Sequence, residues 1–137
     1  MRRPPAPAIR RVPAGGRERG SSSIQMVLLL PALFLVMFAG MQAALWYHAR
    51  AVAISAAQEA ARRTGAEQGT TAAGRGAARS FIADAGGDDV LADAHVSIQR
   101  GPTTATATVS GHSLSVIPGW NITVRQSASA PTERITR

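Results

Sequence analysis

Apolar positions gather in one stretch of the chain. From Met26 to Met41 sixteen residues (MVLLLPALFLVMFAGM) carry no charge and no strongly polar side chain, and after Gln42 the apolar character resumes from Ala43 to Tyr47. Counted from Ile24 the segment is 24 residues. As a helix it spans roughly 36 Å, against about 30 Å of bilayer hydrocarbon, so it crosses a membrane with some tilt. A buried core helix is the alternative, but residues 48–137 hold few large apolar side chains with which to surround it. Pro31 and Gly40 lie inside the run, and membrane helices tolerate both better than soluble ones do. Trp46 and Tyr47 close it, where amphipathic rings favour the headgroup layer.

Past the run the helical period persists. Residues 48–64 (HARAVAISAAQEAARRT) are rich in alanine, contain no Gly or Pro, and separate into an apolar and a polar stripe. Glu59 and Arg63 stand four apart in the order that favours an ion pair. One helix from Ile24 to Thr64 would measure about 60 Å. Gly65 to Gly69 break it, and Thr70 to Ala85 predict a second helix with Ala73, Ala77, Phe81 and Ile82 inward. Gly86-Gly87-Asp88-Asp89 reads as a turn. The period then drops to two: His95 to Arg100, Thr104 to Ser110 and Asn121 to Ser129 alternate, with breaks at Gly101-Pro102 and Pro118-Gly119. Leu114 to Ile117 reads either as a short fourth strand or as a loop packed on the helix. The expected fold is α+β, with a long N-terminal transmembrane helix continuing into a small domain of helix plus three-to-four-stranded antiparallel sheet. The sheet's narrow apolar face (Val96, Ile98, Val109, Ile122, Val124) must lie on the helices to be stable.

Charge gives the span a direction. Arg2, Arg3, Arg10, Arg11, Arg17 and Arg19 precede it against Glu18 alone, a balance of +5, whereas residues 50–137 carry nine arginines and seven acids, a balance of +2. The positive-inside rule places the amino terminus in the cytoplasm and the carboxyl terminus outside. The leader, residues 1–20, is rich in Pro, Gly and Arg, with Met1, Ile9 and Val12 its large apolar side chains, a composition that predicts disorder. A nucleic-acid arm is a competing reading of such a segment, but the span begins directly behind it. The absence of cysteine excludes disulfides, thiolate metal sites and cysteine nucleophiles.

Catalytic spacing is missing as well. His48, His95 and His112 are far apart, and Asp84, Asp88, Asp89 and Asp93 lack the alternate-residue ligand series and closing glutamate of a calcium loop. Ser21, Ser22 and Ser23 have no partner base, and no glycine-rich phosphate loop follows a strand. The expectation is a protein that is not an enzyme, with no cofactor and no metal.

A more specific arrangement surrounds the entrance to the span. The basic leader ends in Arg19-Gly20, followed by Ser21-Ser22-Ser23-Ile24, then Gln25, then the apolar run with proline at its sixth position. This resembles the class III signal of type IV pilin-like proteins and, within them, the TadE-like proteins of the Tad (Flp) pilus assembly system. Leu30-Pro31, the stretch from Ala56 to Arg62, Pro118-Gly119 and Ser127-Ala128 continue the likeness over roughly residues 19–130. The resemblance implies cleavage by a prepilin peptidase between Gly20 and Ser21. The family usually carries glutamate five residues after the cleavage glycine, a carboxylate thought to pair with a neighbouring subunit's amine. Gln25 accepts a hydrogen bond there without bringing a charge.

These readings converge on a single-pass plasma-membrane protein, amino terminus cytoplasmic, acting as a minor pilin-like (pseudopilin) component of a Tad/Flp pilus or secretion assembly. Residues 1–20 form the leader, 21–47 the transmembrane helix, 48–130 the extracytoplasmic α+β domain and 131–137 a frayed tail. Ile24, Pro31, Gly40, Trp46 and Tyr47 mark the span, and Gln25 is the polar position at its entrance. The expected partners are membrane lipid, other Tad or pilin-like membrane proteins and a prepilin peptidase, with no nucleic acid. Two alternatives stay open: a membrane-tethered extracytoplasmic binding domain unrelated to pili, and a secreted protein released at Ala49-Arg50-Ala51 or Ala51-Val52-Ala53 by signal peptidase.

Overall fold

A computed structural model describes residues 19–133 of the chain. The expected leader and the end of the expected tail, residues 1–18 and 134–137, lie outside the described residues. The first element, α1, runs from Arg19 to Gly65 with Pro31 inside it, so Arg19 and Gly20 are already helical. By contact density the chain divides into two compact units between Val36 and Met37.

In the first unit, every described side chain from Ile24 to Val36 is exposed, among them Leu28, Leu29, Leu30, Leu33 and Leu35. This inverts the usual arrangement, in which a helix buries its large apolar groups and exposes its polar ones.

The second unit is built on the rest of α1. Its inward stripe is Ala49, Val52, Ala53, Ala56, Ala57, Ala60, Ala61 and Thr64, a spacing of three and four residues that keeps one helix face toward the sheet. Helix α2 spans Thr71–Asp84. Thr70 caps it with a hydroxyl that accepts the Ala73 N–H at 3.1 Å. Its buried residues are Gly74, Ala78 and Ile82: of the expected stripe Ile82 faces inward, Ala77 is half-buried, and Ala73 and Phe81 are exposed. The stripe moves by one residue because the helices meet at Gly74. A side chain there would press on the Thr64 hydroxyl and come within 2.7 Å of the Ala60 carbonyl, an approach only glycine permits. A short 3-10 turn, Gly87–Asp89, leads into the sheet.

Strands β1 (Leu91–Arg100), β2 (Thr104–Ser113) and β3 (Ile122–Pro131) form one antiparallel sheet in the order β1-β2-β3. This α+β architecture is the one the hydrophobic periods predict. β1 starts four residues before the expected His95, and the pairing register shifts between Ala92 and His95. Asp93, at the shift, holds a positive φ of 52°, a conformation that aspartate tolerates better than most residues. The register puts Leu91, Val96, Ile98, Ala105, Ala107, Val109, Val124, Ala128 and Ala130 on the face toward the helices. Ala105, Ala107 and Val109 are completely enclosed. Alanine therefore lines both sides of the helix–sheet contact. Packing at native density is reached by bringing backbones close together, with few large side chains to interlock.

Gly111 belongs to the same economy of space. A Cβ there would lie 2.8 Å from the Ala92 carbonyl oxygen and 2.8 Å from Leu91 Cγ. The opposite face of the sheet is polar, with cross-strand hydroxyl pairs Thr106–Ser129 at 2.9 Å and Thr108–Ser127 at 3.1 Å. Leu114 to Ile117 form no fourth strand; they are a loop held by α1. At the end of the described chain, Thr132 N–H donates to the Thr103 carbonyl at 2.9 Å and Glu133 N–H to the Gly65 carbonyl at 2.8 Å.

Candidate functional site

The residues marking the expected span all lie on α1, but their surroundings differ. Gly20 and Ser21 fall within its first turn. Ile24, Gln25, Pro31 and Gly40 are exposed, and a methyl group added at Gly40 would touch nothing within 4 Å. Tyr47 is exposed too, whereas Trp46 is half-buried and packs at the margin of the core. The Arg50 guanidinium sits 5.6 Å from the centre of the Trp46 ring, within range for attraction between a cation and the negative face of an aromatic. One helical turn thus carries an indole suited to the lipid–water boundary and a cation suited to headgroup phosphates.

The most distinctive polar arrangement is at Gln42. In sequence this residue interrupts an apolar run; in the fold it is 5% exposed and faces the loop between β2 and β3. Its Nε2 donates to the Leu114 carbonyl at 3.3 Å. Its Oε1 accepts from Val116 N–H at 3.0 Å and lies 3.1 Å from Ser115 Oγ. A single amide can answer a backbone carbonyl and a backbone N–H together because it carries both donor and acceptor. Ser115 Oγ also lies 2.8 Å from the Ile117 carbonyl and accepts the Ile117 N–H at 3.1 Å. Trp120 N–H then donates to the Ile117 carbonyl at 3.2 Å across Pro118 and Gly119, whose φ is +79°. Proline second and a positive-φ glycine third are the requirements of a type II turn. Sequence patterning gave no sign of the Gln42 contact. The available clue was a lone amide on an otherwise apolar face, together with a loop whose backbone groups had no strand partners.

Elsewhere the polar groups are dispersed. His48 and His95 are exposed, and His112 Nδ1 lies 3.8 Å from Asp93 Oδ2. No group of three or more His, Asp or Glu side chains is placed to hold a metal ion among the described residues. Glu59 pairs with Arg62 at 2.9 Å instead of with Arg63. A groove of about 710 Å³ runs between α1 and α2, lined among others by Glu59, Arg63, Ser80, Phe81 and Asp84. It mixes charges of both signs with one aromatic ring.

Residues 20–62 match the family model described as TadE-like protein, the family named by the sequence resemblance. No curated protein and no solved structure matches the chain. The matched residues hold the exposed apolar half of α1 and most of its alanine stripe. α1 is also the helix long and apolar enough to cross a membrane among the described residues. The match covers about a third of the chain and falls on the helix that is long and apolar enough to cross a membrane.

Proposed function

We propose that the chain is a membrane-anchored, minor pilin-like component of a Tad pilus or secretion assembly, with a structural and protein-binding role and no catalytic one. The observation that carries this reading is where the family match begins. It starts at Gly20, the glycine after which the resemblance expects a prepilin peptidase to cut. The arginine-rich leader would lie in the cytoplasm, α1 would cross the bilayer from Ile24, and the α+β domain would stand outside, the orientation the arginine bias favours. Lipid contacts the exposed leucines and phenylalanines of the span, and neighbouring pilin-like helices pack against the same surface.

Gln25 sets the terms of that lateral packing. A neutral amide near the membrane entrance costs less to desolvate than an unpaired carboxylate, so the subunit joins an assembly in small numbers without needing a partner amine at this position. The outer groove between α1 and α2 supplies a separate surface for a protein partner.

The test is the mature amino terminus. In cells with an active prepilin peptidase, mass spectrometry of membrane-extracted protein is expected to find Ser21 first. Gly20→Val is expected to block cutting and leave a species about 2 kDa heavier, the mass of a removable leader of ordinary residues. Intact protein beginning at Met1 or Arg2 would overturn the pilin reading in favour of a tethered binding domain; a terminus near Ala51 to Ile54 would identify a secreted protein instead.

A further inference from the structure

The β2–β3 loop holds a set of apolar side chains that the fold leaves uncovered. Leu114 is 40% exposed, Ile117 37% and Trp120 54%. No Asp, Glu, Lys or Arg occurs from Gly101 to Val124. An uncharged, apolar, tryptophan-bearing loop on a water-soluble domain calls for something to cover it. Its position points to what that is. The loop is fastened to Gln42, the residue directly after Met41, and Met41 is the last large apolar side chain in the exposed run of α1. From Ile24 to Met41 a helix rises about 27 Å, close to the roughly 30 Å of bilayer hydrocarbon. Gln42 therefore falls at the edge of the hydrocarbon, a full turn of helix before Trp46 and Tyr47.

We propose that the loop Leu114–Trp120 is a second membrane contact, lying in the interfacial layer of the bilayer on the side of the outer domain, with a lipid surface as its partner. The inference rests on the reading that α1 spans the membrane. Gln42 fixes the height of the loop on the helix. The Ile117–Trp120 turn holds Ile117 and Trp120 at one end of the loop, where their apolar bodies enter the headgroup region and the indole N–H stays within reach of water and phosphate. Several polar atoms of the loop are already occupied: Leu114 O and Val116 N–H by Gln42, Ile117 O by Trp120 N–H and Ser115. The span and the loop then give the chain two separate contacts with lipid.

The experiment uses the full chain carrying Trp46→Phe, which leaves Trp120 as the single tryptophan, in vesicles of phosphatidylcholine and phosphatidylglycerol. Vesicle flotation reports on the anchor, and tryptophan fluorescence reports on the loop. The expected result is co-flotation, with Trp120 emission shifted to the blue, strongly quenched by phospholipids brominated near the headgroup end of the acyl chain and weakly by aqueous iodide. Gln42→Leu, which keeps the span but removes the ties to the loop, is expected to reduce bromolipid quenching and raise iodide quenching while flotation is unchanged. Protein that floats with Trp120 open to iodide and untouched by bromolipid overturns the proposal and leaves the anchor standing. Protection from both quenchers also overturns it, because the loop is then buried against protein. Failure to float removes the anchor, and the loop contact with it.

Discussion

The two halves of α1 obey opposite packing rules. From Ile24 to Met41 the side chains are mostly large and all exposed, whereas from Ala49 to Thr64 the inward ones are small and buried. In water a helix built like the first half would lose the free energy of burying each leucine or phenylalanine, about 1.5–3 kcal/mol apiece. It is stable only where the surroundings are themselves apolar. The second half gains little from burying any single methyl group. Its stability comes from close approach of small residues, as Gly74 shows where α2 meets Ala60 and Thr64 of α1. One continuous helix thus suits two surroundings, an apolar one along the first part and folded protein along the second. Side-chain volume tells the two apart better than hydrophobicity does.

The contrast is broken most severely by charging the first half. Leu29→Arg combined with Leu33→Arg places two guanidinium groups near the middle of the span, each costing about 3 kcal/mol in insertion free energy. The expected outcome is loss of the protein from alkali-washed membranes, while Leu29→Val with Leu33→Val remains. Equal retention of both would show that this half is not the anchor. Enlarging the second half should act on folding instead. Ala57 is completely enclosed, and Ala57→Leu forces added carbons into a closed contact, at about 1–3 kcal/mol. For a domain of this size that lowers Tm by roughly 10 °C. Circular dichroism of the full chain in detergent measures it, with membrane retention unchanged. An unaltered Tm would mean that the alanine face is not tightly packed.

Much of the domain was legible because its periods are clean. The alternation in TATATVS and the three-and-four spacing of the alanines translate directly into β2 and the inner face of α1. What escaped the sequence has physical causes. The bulge at Asp93 adds a residue to β1, which disrupts the period of two and hides the strand's start at Leu91. The α2 stripe was misplaced because its closest contact is a glycine, which no hydrophobicity pattern registers. Gln42 looked like a flaw in an apolar run because its value lies in backbone groups more than seventy residues away. A long-range hydrogen bond leaves at most a lone polar residue in the local pattern, and nothing there names its partner.

The finest test of the small-residue half concerns Thr64. Its side chain is fully buried in the last turn of α1, and Oγ1 has no hydrogen-bond partner; the facing position on α2 is Gly74. A buried hydroxyl without a partner has given up its bonds to water for nothing, at a cost of about 1–3 kcal/mol. Thr64→Val replaces it with a methyl group of nearly the same shape, and the helix propensities of the two residues are similar. The substitution is expected to raise Tm by a few degrees, on the order of 1 kcal/mol. Thr64→Ala also removes the hydroxyl, but opens a cavity in a face closed on all sides and is expected to lower Tm. The sign of the difference between the two variants isolates the polar contribution from the packing one. If Val destabilised as much as Ala, the hydroxyl would have to be held by a bond, and the contact between α1 and α2 would depend on polarity as well as on close approach.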